Sequence, residues 1–360
     1  MATAPTRVVC FSAYSQNLRA RAVLEFLGQH GFAAHQPRSY GPAGSVWELA
    51  LTLIPYCLKA LTCRADLVVG FKPHLNVTLP LLLCRLRGIP TWLDVDDLDH
   101  AYRDTWLSRV LEFVERPFPC RSQVVSYHHD KLHDYLIDEL HCRPEQVLQI
   151  AQGVDWQHFG AEVPPAARAE ARRRYALDGR RVAVYVAHLN RATELEPVLH
   201  AWRQVIRHVP DGLLLVVGGG PRQTRYESMA RDMGLAGHVT FTGEIAHAAV
   251  PACLAVADVA VLYFVPRRVN AYRCSLKLRE YCAAGIKIVC NDSGELSRFA
   301  HLTYQSTSDV TDFAATLTRV LYGHGDGRER AAREFARTHL DWHHIVAGVA
   351  ATLRQRLVAL

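Results

Sequence analysis

The sequence predicts an α/β protein of two domains, and three observations carry that prediction. The chain has 360 residues, too many for one ordinary core and suited to two of roughly 150 residues each. Its first apolar strand, Arg7–Ser12, passes through a polar turn at Tyr14–Asn17 into a helix from Leu18 to His30, with Gly31 as a stop signal. That strand–loop–helix opening is of nucleotide-binding type. A second start of the same kind comes at Arg181–Val186, a strand running into the loop Ala187–Arg191. No G-x-G-x-x-G is present, which disfavours a dinucleotide.

Composition narrows the class. The chain is 49% hydrophobic and 21% charged, with a net charge of +6, as a globular protein should be. A mild basic excess suits a phosphate-bearing substrate or an anionic membrane surface. It is too diffuse for nucleic acid, since there is no basic tail and no known binding motif. The ten cysteines are scattered singly with no C-x2-C pair, so zinc is unsupported and buried thiols are expected. The Met-Ala-Thr-Ala start has no signal-peptide core. The expectation is a reduced, cytoplasmic protein, in peripheral contact at most with the inner membrane face. One segment bears on that contact. Trp47–Leu61 is apolar but short, with Glu48, Pro55 and Lys59 inside it. It cannot span a bilayer; it reads as a buried or an interfacial helix, and its length favours the buried one.

Further strands follow in order. Ala65–Lys72 is one, with Lys72-Pro73-His74 at its carboxyl end, where α/β proteins place ligands. Val77–Leu86 is an apolar helix, and Ile89–Asp99 is a strand running into an acidic loop. The aspartates Asp94, Asp96, Asp97 and Asp99 raise magnesium as one reading and a solvated loop at a helix start as another. Arg121–Tyr127 is a strand, a helix follows from about Asp130 to Leu140, and Val147–Ile150 closes the first half. Pro164-Pro165 and the Ala/Arg-rich run after it suit a connection, giving domains of 1–163 and 164–338 and a tail of 339–360. In the second half, Leu213–Val217 runs into Gly218-Gly219-Gly220-Pro221, glycines that permit close backbone approach to a ligand.

The chemistry concentrates at Arg267–Ser297. A polar, basic loop leads into a short helix ending at Gly285, then an apolar strand, Ile286–Cys290. Leu278 and Tyr281 can pack inward together, while Lys277 and Glu280 share another side. A helix start with Arg273 and Lys277 beside it is a natural anion site. A carboxylate one turn further in can accept from a ribose diol. The combination suits a nucleoside diphosphate. The plain alternative is an ion pair between Lys277 and Glu280 on a helix surface.

From Lys277 to Gly285 the segment resembles the S-P-x-K-L-x-E-Y-x-A-A-G signature of glycosyltransferase family four, with one residue deleted around Ser275-Leu276 and the proline absent. Three more matches precede it: Gly218–Pro221 with G-x-G-P, Val239–Gly243 with an F-x-G strand, and Ala257–Tyr263 with an A-D-V strand. The segment Ala151–Phe159 resembles P-N-G-V-D-x-x-x-F, with Gln152 in place of the asparagine. The resemblance implies two Rossmann-like domains facing a cleft, the GT-B fold. It also implies a terminal helix returning to the first domain and transfer of sugar from a nucleoside diphosphate with retained configuration. Arg273 and Lys277 would neutralise the leaving diphosphate, and Glu280 would bind ribose beside Ser275 and Leu276. Gly218, Gly219, Gly220, Thr242 and Gly243 would line the donor site, and Arg191 would stand in for the family's basic residues there. Asp96 falls where a sugar-contacting histidine is usual. Ser15, Asn17 and Arg19 would face the acceptor, together with Lys72 and His74; Asn17 reads equally well as a helix cap. The family's first glutamate of E-x7-E falls at Tyr272 and is missing. No cofactor and no divalent metal are expected. The rival readings are a nucleotide-sugar epimerase or phosphorylase on the same fold, and a non-catalytic sugar-nucleotide-binding protein.

Overall fold

The computed structural model describes residues 5–43, 45–96, 98 and 106–358. They divide into two units. Unit 1 takes the chain up to Gln152, the short stretch Tyr272–Cys274 and the chain from Trp342 onward; unit 2 takes Gly153–Ala271 and Ser275–Asp341. Unit 2 thus begins at Gly153, ahead of the Pro164-Pro165 connection.

Unit 1 holds strands β1 (Thr6–Ser12), β2 (Phe32–His35), β3 (Leu67–Phe71), β4 (Thr91–Val95), β5 (Val124–Tyr127) and β6 (Val147–Gln149). All its strand pairs are parallel, in the order β2-β1-β3-β4-β5-β6. The crossovers carry helices α1 (Leu18–Gln29), α2 (Val46–Thr62), α3 (Leu75–Leu86), α4 (Trp106–Glu115) and α5 (Asp130–Asp134). Unit 2 holds β7 (Arg181–Val186), β8 (Gly212–Val217), β9 (Val239–Phe241), β10 (Val259–Leu262), β11 (Lys287–Asn291) and β12 (Tyr304–Ser306), again parallel, in the order β12-β11-β10-β7-β8-β9. Its helices are α6 (Trp156–Phe159), α7 (Pro165–Arg174), α8 (Leu195–Val205), α9 (Gln223–Asp232), α10 (Val250–Ala255), α11 (Arg268–Tyr272), α12 (Leu276–Ala284), α13 (Val310–Leu321) and α14 (Arg328–Phe335); α15 (Trp342–Val358) belongs to unit 1.

Each sheet is covered on both faces, and for that reason its strands read as unbroken apolar runs. Along β7, Val182, Val184 and Val186 join one core layer while Ala183 and Tyr185 join the other. The first layer receives Leu278, Tyr281 and Cys282 from α12; the second receives Leu199 and Trp202 from α8 and Phe313 from α13. In unit 1, Val8 and Cys10 pack with α1 and with Trp342, Val346 and Leu353 of α15. Burial pushes the Cys282 and Cys290 thiols up to about 12, so they are inert core groups.

The expected single tail helix divides. Asp341 is extended and forms a bridge with Val154, so the chain leaves one helix after Leu340 and starts α15 at Trp342. The helix expected over 130–140 also changes: α5 gives way to a π-helical turn at Tyr135–Glu139.

Candidate functional site

In an open parallel sheet, ligands bind outside the carboxyl ends of the strands, where the strand order reverses. The order of unit 2 reverses between β7 and β10. Glu194, at the end of the loop after β7, is buried there, and its Oε2 accepts from the Val265 N–H at 2.8 Å in the loop after β10. Asn270 Nδ2 donates to both Glu194 oxygens, at 3.0 and 2.9 Å, and Arg267 pairs with the same carboxylate. Sequence reasoning reaches Arg267 and Asn270 as part of a basic loop. It misses Glu194, because nothing local in the chain marks a partner about seventy residues away.

The glycine run packs tightly against neighbouring loops. Gly218 sits at φ +114°, and a side chain there would collide with the Ala187 carbonyl. A Cβ on Gly219 would come within 2.7 Å of the Glu244 nitrogen, and one on Gly220 within 2.7 Å of the Leu189 oxygen. The close approach is to neighbouring backbone, which locks the loops after β7, β8 and β9 together. Thr242 completes the lock: its Oγ1 accepts from the Gly218 N–H at 3.1 Å and donates to the Gly243 oxygen at 2.7 Å. These residues shape the floor of the strand ends. Arg191 stands exposed in the loop after β7.

Helix α12 starts at the same edge, because it follows β10 in a parallel crossover to β11. Ser275 is its cap: the Oγ accepts from the Leu278 N–H at 3.2 Å, and the Ser275 N–H donates to Glu295 Oε2 at 2.7 Å. Both groups of Ser275 are therefore committed to holding the helix. Arg279, buried, pairs with Glu295 and donates to the Ser275 oxygen at 3.1 Å, which fixes the first turn from behind. Gly285 ends the helix in the left-handed conformation. Tyr281 points inward and its hydroxyl accepts from the Val186 N–H at 2.9 Å, tying α12 to the end of β7.

Lys277 in that first turn and Glu280 one turn further in form a pair. Glu280 is 1% exposed, and its Oε2 lies 3.1 Å from Lys277 Nζ, which is 27% exposed. Its Oε1 lies 3.4 Å from His247 Nε2, on the segment after β9. His247 in turn stacks on His158, with ring centroids 5.3 Å apart. A buried carboxylate held by two cationic or polarisable partners that reach solvent can exchange them for ligand hydroxyls. Leu276 opens the helix, half-buried. Arg273 does not share this turn: it precedes the cap and counts with unit 1. A cavity of about 430 Å³ lies at the opposite end of α12, beside Gly285 and Lys287, and none of the candidate residues lines it.

In unit 1 the order reverses between β1 and β3, and the acceptor-side candidates fall on the loops after those two strands. Most are occupied. Asn17 caps α1, accepting from the Ala20 N–H at 2.9 Å. Arg19 is buried: its Nε and Nη2 donate to Asp94 at 2.7 and 3.0 Å, and its Nη2 and Nη1 to the Ile150 and Ala151 oxygens at 2.8 and 3.2 Å. It joins strands, and these donors are taken up by protein oxygens. His74 is buried against Glu115, at 2.8 Å. Lys72, at φ +69°, places its Nζ 3.3 Å from Asp96 Oδ1. Ser15 is exposed, and its N–H donates to the buried Glu48 at 2.7 Å. Asp94 also accepts from Ser126, so the acidic cluster is committed to neighbours as far as it is described; Asp97 and Asp99 lie outside the described residues.

Fold and strand-end chemistry together define a GT-B protein of two Rossmann-like units. Over 98% of its length the chain superposes on HepE from Anabaena in complex with UDP, with a TM-score of 0.73, 14% identity and 100% of that chain covered. Residues 180–323 match the family model described as Glycosyl transferases group 1, which makes that part of unit 2 a domain of the family and bears out the family-four resemblance. Among curated relatives, the chain is 35% identical over 147 residues to a GDP-mannose-dependent alpha-(1-6)-phosphatidylinositol monomannoside mannosyltransferase of Mycobacterium tuberculosis, covering 39% of this chain and 37% of that protein. It is 33% identical over 203 residues to the protein of that name from Mycolicibacterium smegmatis, covering 54% and 52%. The chain thus spans about half or less of the length of these relatives.

Proposed function

We propose that the protein is a retaining glycosyltransferase, with the donor nucleoside-diphosphate sugar held by unit 2. The observation that supports it most is the Lys277–Glu280 pair on the first turns of α12, at the carboxyl edge of a sheet within a Glycosyl transferases group 1 domain. Glu280 accepts from the ribose hydroxyls and releases Lys277 toward the diphosphate. The helix N-terminus adds its own partial positive charge there. Charge on the leaving diphosphate grows toward the transition state, so a cation at that point accelerates transfer instead of merely tightening binding. Arg191 is the second cation within unit 2, and Arg273 is the candidate from the connecting stretch. Asp96 is the candidate of unit 1 for a hydroxyl of the transferred sugar, and Lys72 and Ser15 are its acceptor-side candidates.

The reaction needs no divalent metal under this reading. Asp94 is bonded to Arg19 and Ser126, Asp96 lies in an ion pair with Lys72, and Lys277 supplies charge where a metal otherwise would. GDP-mannose is the first donor to test, by the relatives' names, with UDP-sugars beside it. The acceptor is a glycan, a lipid-linked molecule or a small molecule. The buried thiols agree with a reducing, cytoplasmic setting.

The test is a donor panel read by calorimetry and by nucleotide release, with the anomeric configuration of the product followed by NMR. Binding of one nucleoside diphosphate and release of sugar with retained configuration is the expected result. No affinity for any nucleoside diphosphate sinks the donor site. Binding without turnover in the presence of glycan acceptors favours a binding protein, and an epimerised sugar nucleotide favours an epimerase. Activity abolished by a chelator and restored by magnesium overturns the metal-free mechanism.

A further inference from the structure

Helix α2 wears its polarity reversed. The residues it turns into unit 1 are Glu48, Thr52, Tyr56 and Ala60. The polar ones are satisfied there: Glu48 accepts from the Ser15 N–H at 2.7 Å, Thr52 Oγ1 accepts from Asn76 Nδ2 at 2.9 Å, and the Tyr56 hydroxyl donates to the Ser12 oxygen at 3.4 Å. The other face carries Trp47, Leu51, Ile54, Leu58 and Leu61, each between 52% and 69% exposed. Their spacing of four, three, four and three residues is that of one helical stripe, about 21 Å long at 1.5 Å per residue. An exposed apolar stripe of that size marks a contact.

Charge says with what. Helix α3 lies alongside α2, and Arg87 Nη2 donates to the Cys63 oxygen at 2.9 Å, so Leu86, 76% exposed, continues the apolar surface past the end of α2. Over residues 45–64 and 75–87 the charged side chains are Lys59, Arg64, Arg85 and Arg87 on one side and Glu48 on the other. Glu48 is fully buried. The exposed charge on these two helices is therefore of one sign. A protein partner's rim would mix signs and polar groups. An apolar helical face bordered by basic side chains, with a tryptophan at its head, fits a helix lying in the headgroup region of an anionic bilayer. No described helix is long and apolar enough to cross one.

We propose that the outer face of α2, with Leu86 and the basic side chains at its C-terminal end, docks unit 1 on an anionic lipid bilayer, α2 lying parallel to the surface with Trp47, Ile54 and Leu58 submerged. Docking is independent of the donor reading, since it uses none of the unit 2 groups.

The test is flotation of the full chain with vesicles of phosphatidylglycerol in phosphatidylcholine, against pure phosphatidylcholine, in the absence of nucleotide. The chain is expected to float with the anionic vesicles, and raised salt to weaken this. Ile54→Ser with Leu58→Ser should lower the partition constant at least about tenfold, because the submerged apolar area is lost. Arg64→Glu with Arg85→Glu should lower it about tenfold or more, through charge alone. Tyr322→Ser, an exposed position of unit 2, should leave it unchanged. Unaltered thermal midpoints show that these surface variants are folded. The proposal falls if the wild-type chain stays unbound at low salt, or if the serine variant floats as well as the wild type. It also falls if sedimentation shows a dimer that the serine variant breaks while vesicle binding is absent; the stripe is then an interface between two copies.

Discussion

Two carboxylates of this molecule are equally buried and differ in everything that matters for function. Asp94 in unit 1 and Glu280 in unit 2 are each 1% exposed, and each has a basic partner at hydrogen-bond distance. The cation on Asp94 is Arg19, 4% exposed and bonded as well to two backbone carbonyls. The cation on Glu280 is Lys277, 27% exposed. The first pair is closed: neither member can leave without stranding a charge. The second is open at one end: the lysine can swing to solvent or to a ligand, and His247 at 3.4 Å remains beside the carboxylate. Burial of an acid thus does not mark a site. An exit for its partner does.

Removing the closed pair should produce the largest effect. Arg19→Ala strands Asp94 in the core of unit 1, and loss of one partner of a buried pair costs about 3–5 kcal/mol. Urea unfolding followed by fluorescence is expected to show unit 1 destabilised by that amount while unit 2 still binds nucleotide. A loss below about 1 kcal/mol would mean that water reaches Asp94, and the contrast with Glu280 would dissolve.

The open pair should answer in catalysis. Lys277→Ala is expected to lower kcat about a hundredfold, the scale of removing one charge-stabilising group from a transition state, with acceptor KM little changed. Arg273→Ala should act in the same direction. If Lys277→Ala turns over normally and Arg191→Ala does not, the diphosphate is held by the loop after β7 and α12 is only scaffolding. Glu280→Gln should weaken binding of the donor nucleotide about tenfold, close to 1.4 kcal/mol, through loss of charge-assisted hydrogen bonds to ribose. Calorimetry that finds unchanged affinity removes Glu280 from the donor site.

This contrast explains what the sequence could and could not disclose. The strands are legible because both faces of each sheet are covered: Arg181–Val186 is predicted and found with the same bounds. The edge strands β2 and β12 are short, at four and three residues, and fall below what an apolar run can signal. The inward Leu278 and Tyr281 and the terminal Gly285 of α12 are legible from spacing; the cap Ser275 reads in the sequence only as a donor-site residue. Which cations are spent is not. Arg19 and Lys277 are both helix-start bases beside candidate site residues, and only the three-dimensional position of Ile150 and Ala151 closes one of them. Helix α2 is the opposite failure. Its length favours a buried helix over an interfacial one, yet Glu48, Thr52 and Tyr56 take the inner face because Ser15, Asn76 and Ser12 wait there as partners. A single sequence shows how much apolar surface a helix has and not which side the core requires.

The smallest expected effect is the sharpest test of the comparison. In the unliganded protein, Lys277 and Glu280 form an i,i+3 pair whose cation is partly solvated. Exposed pairs of this kind couple by about 0.3–0.5 kcal/mol, and burial of one end raises that somewhat. His247 limits the rise, because it stays within 3.4 Å of the carboxylate when Lys277 is gone. A double-mutant cycle of Lys277→Ala and Glu280→Gln, read by urea unfolding of unit 2, should therefore give a coupling below about 1 kcal/mol. Repeated with saturating nucleoside diphosphate, the coupling should fall toward zero, since the lysine has then moved to phosphate and the carboxylate to ribose. A coupling of about 3 kcal/mol or more without ligand, and unchanged with it, would place this pair in the same category as Arg19 and Asp94. The first turns of α12 would then be a structural brace, and the donor would have to be sought elsewhere along the strand ends of unit 2.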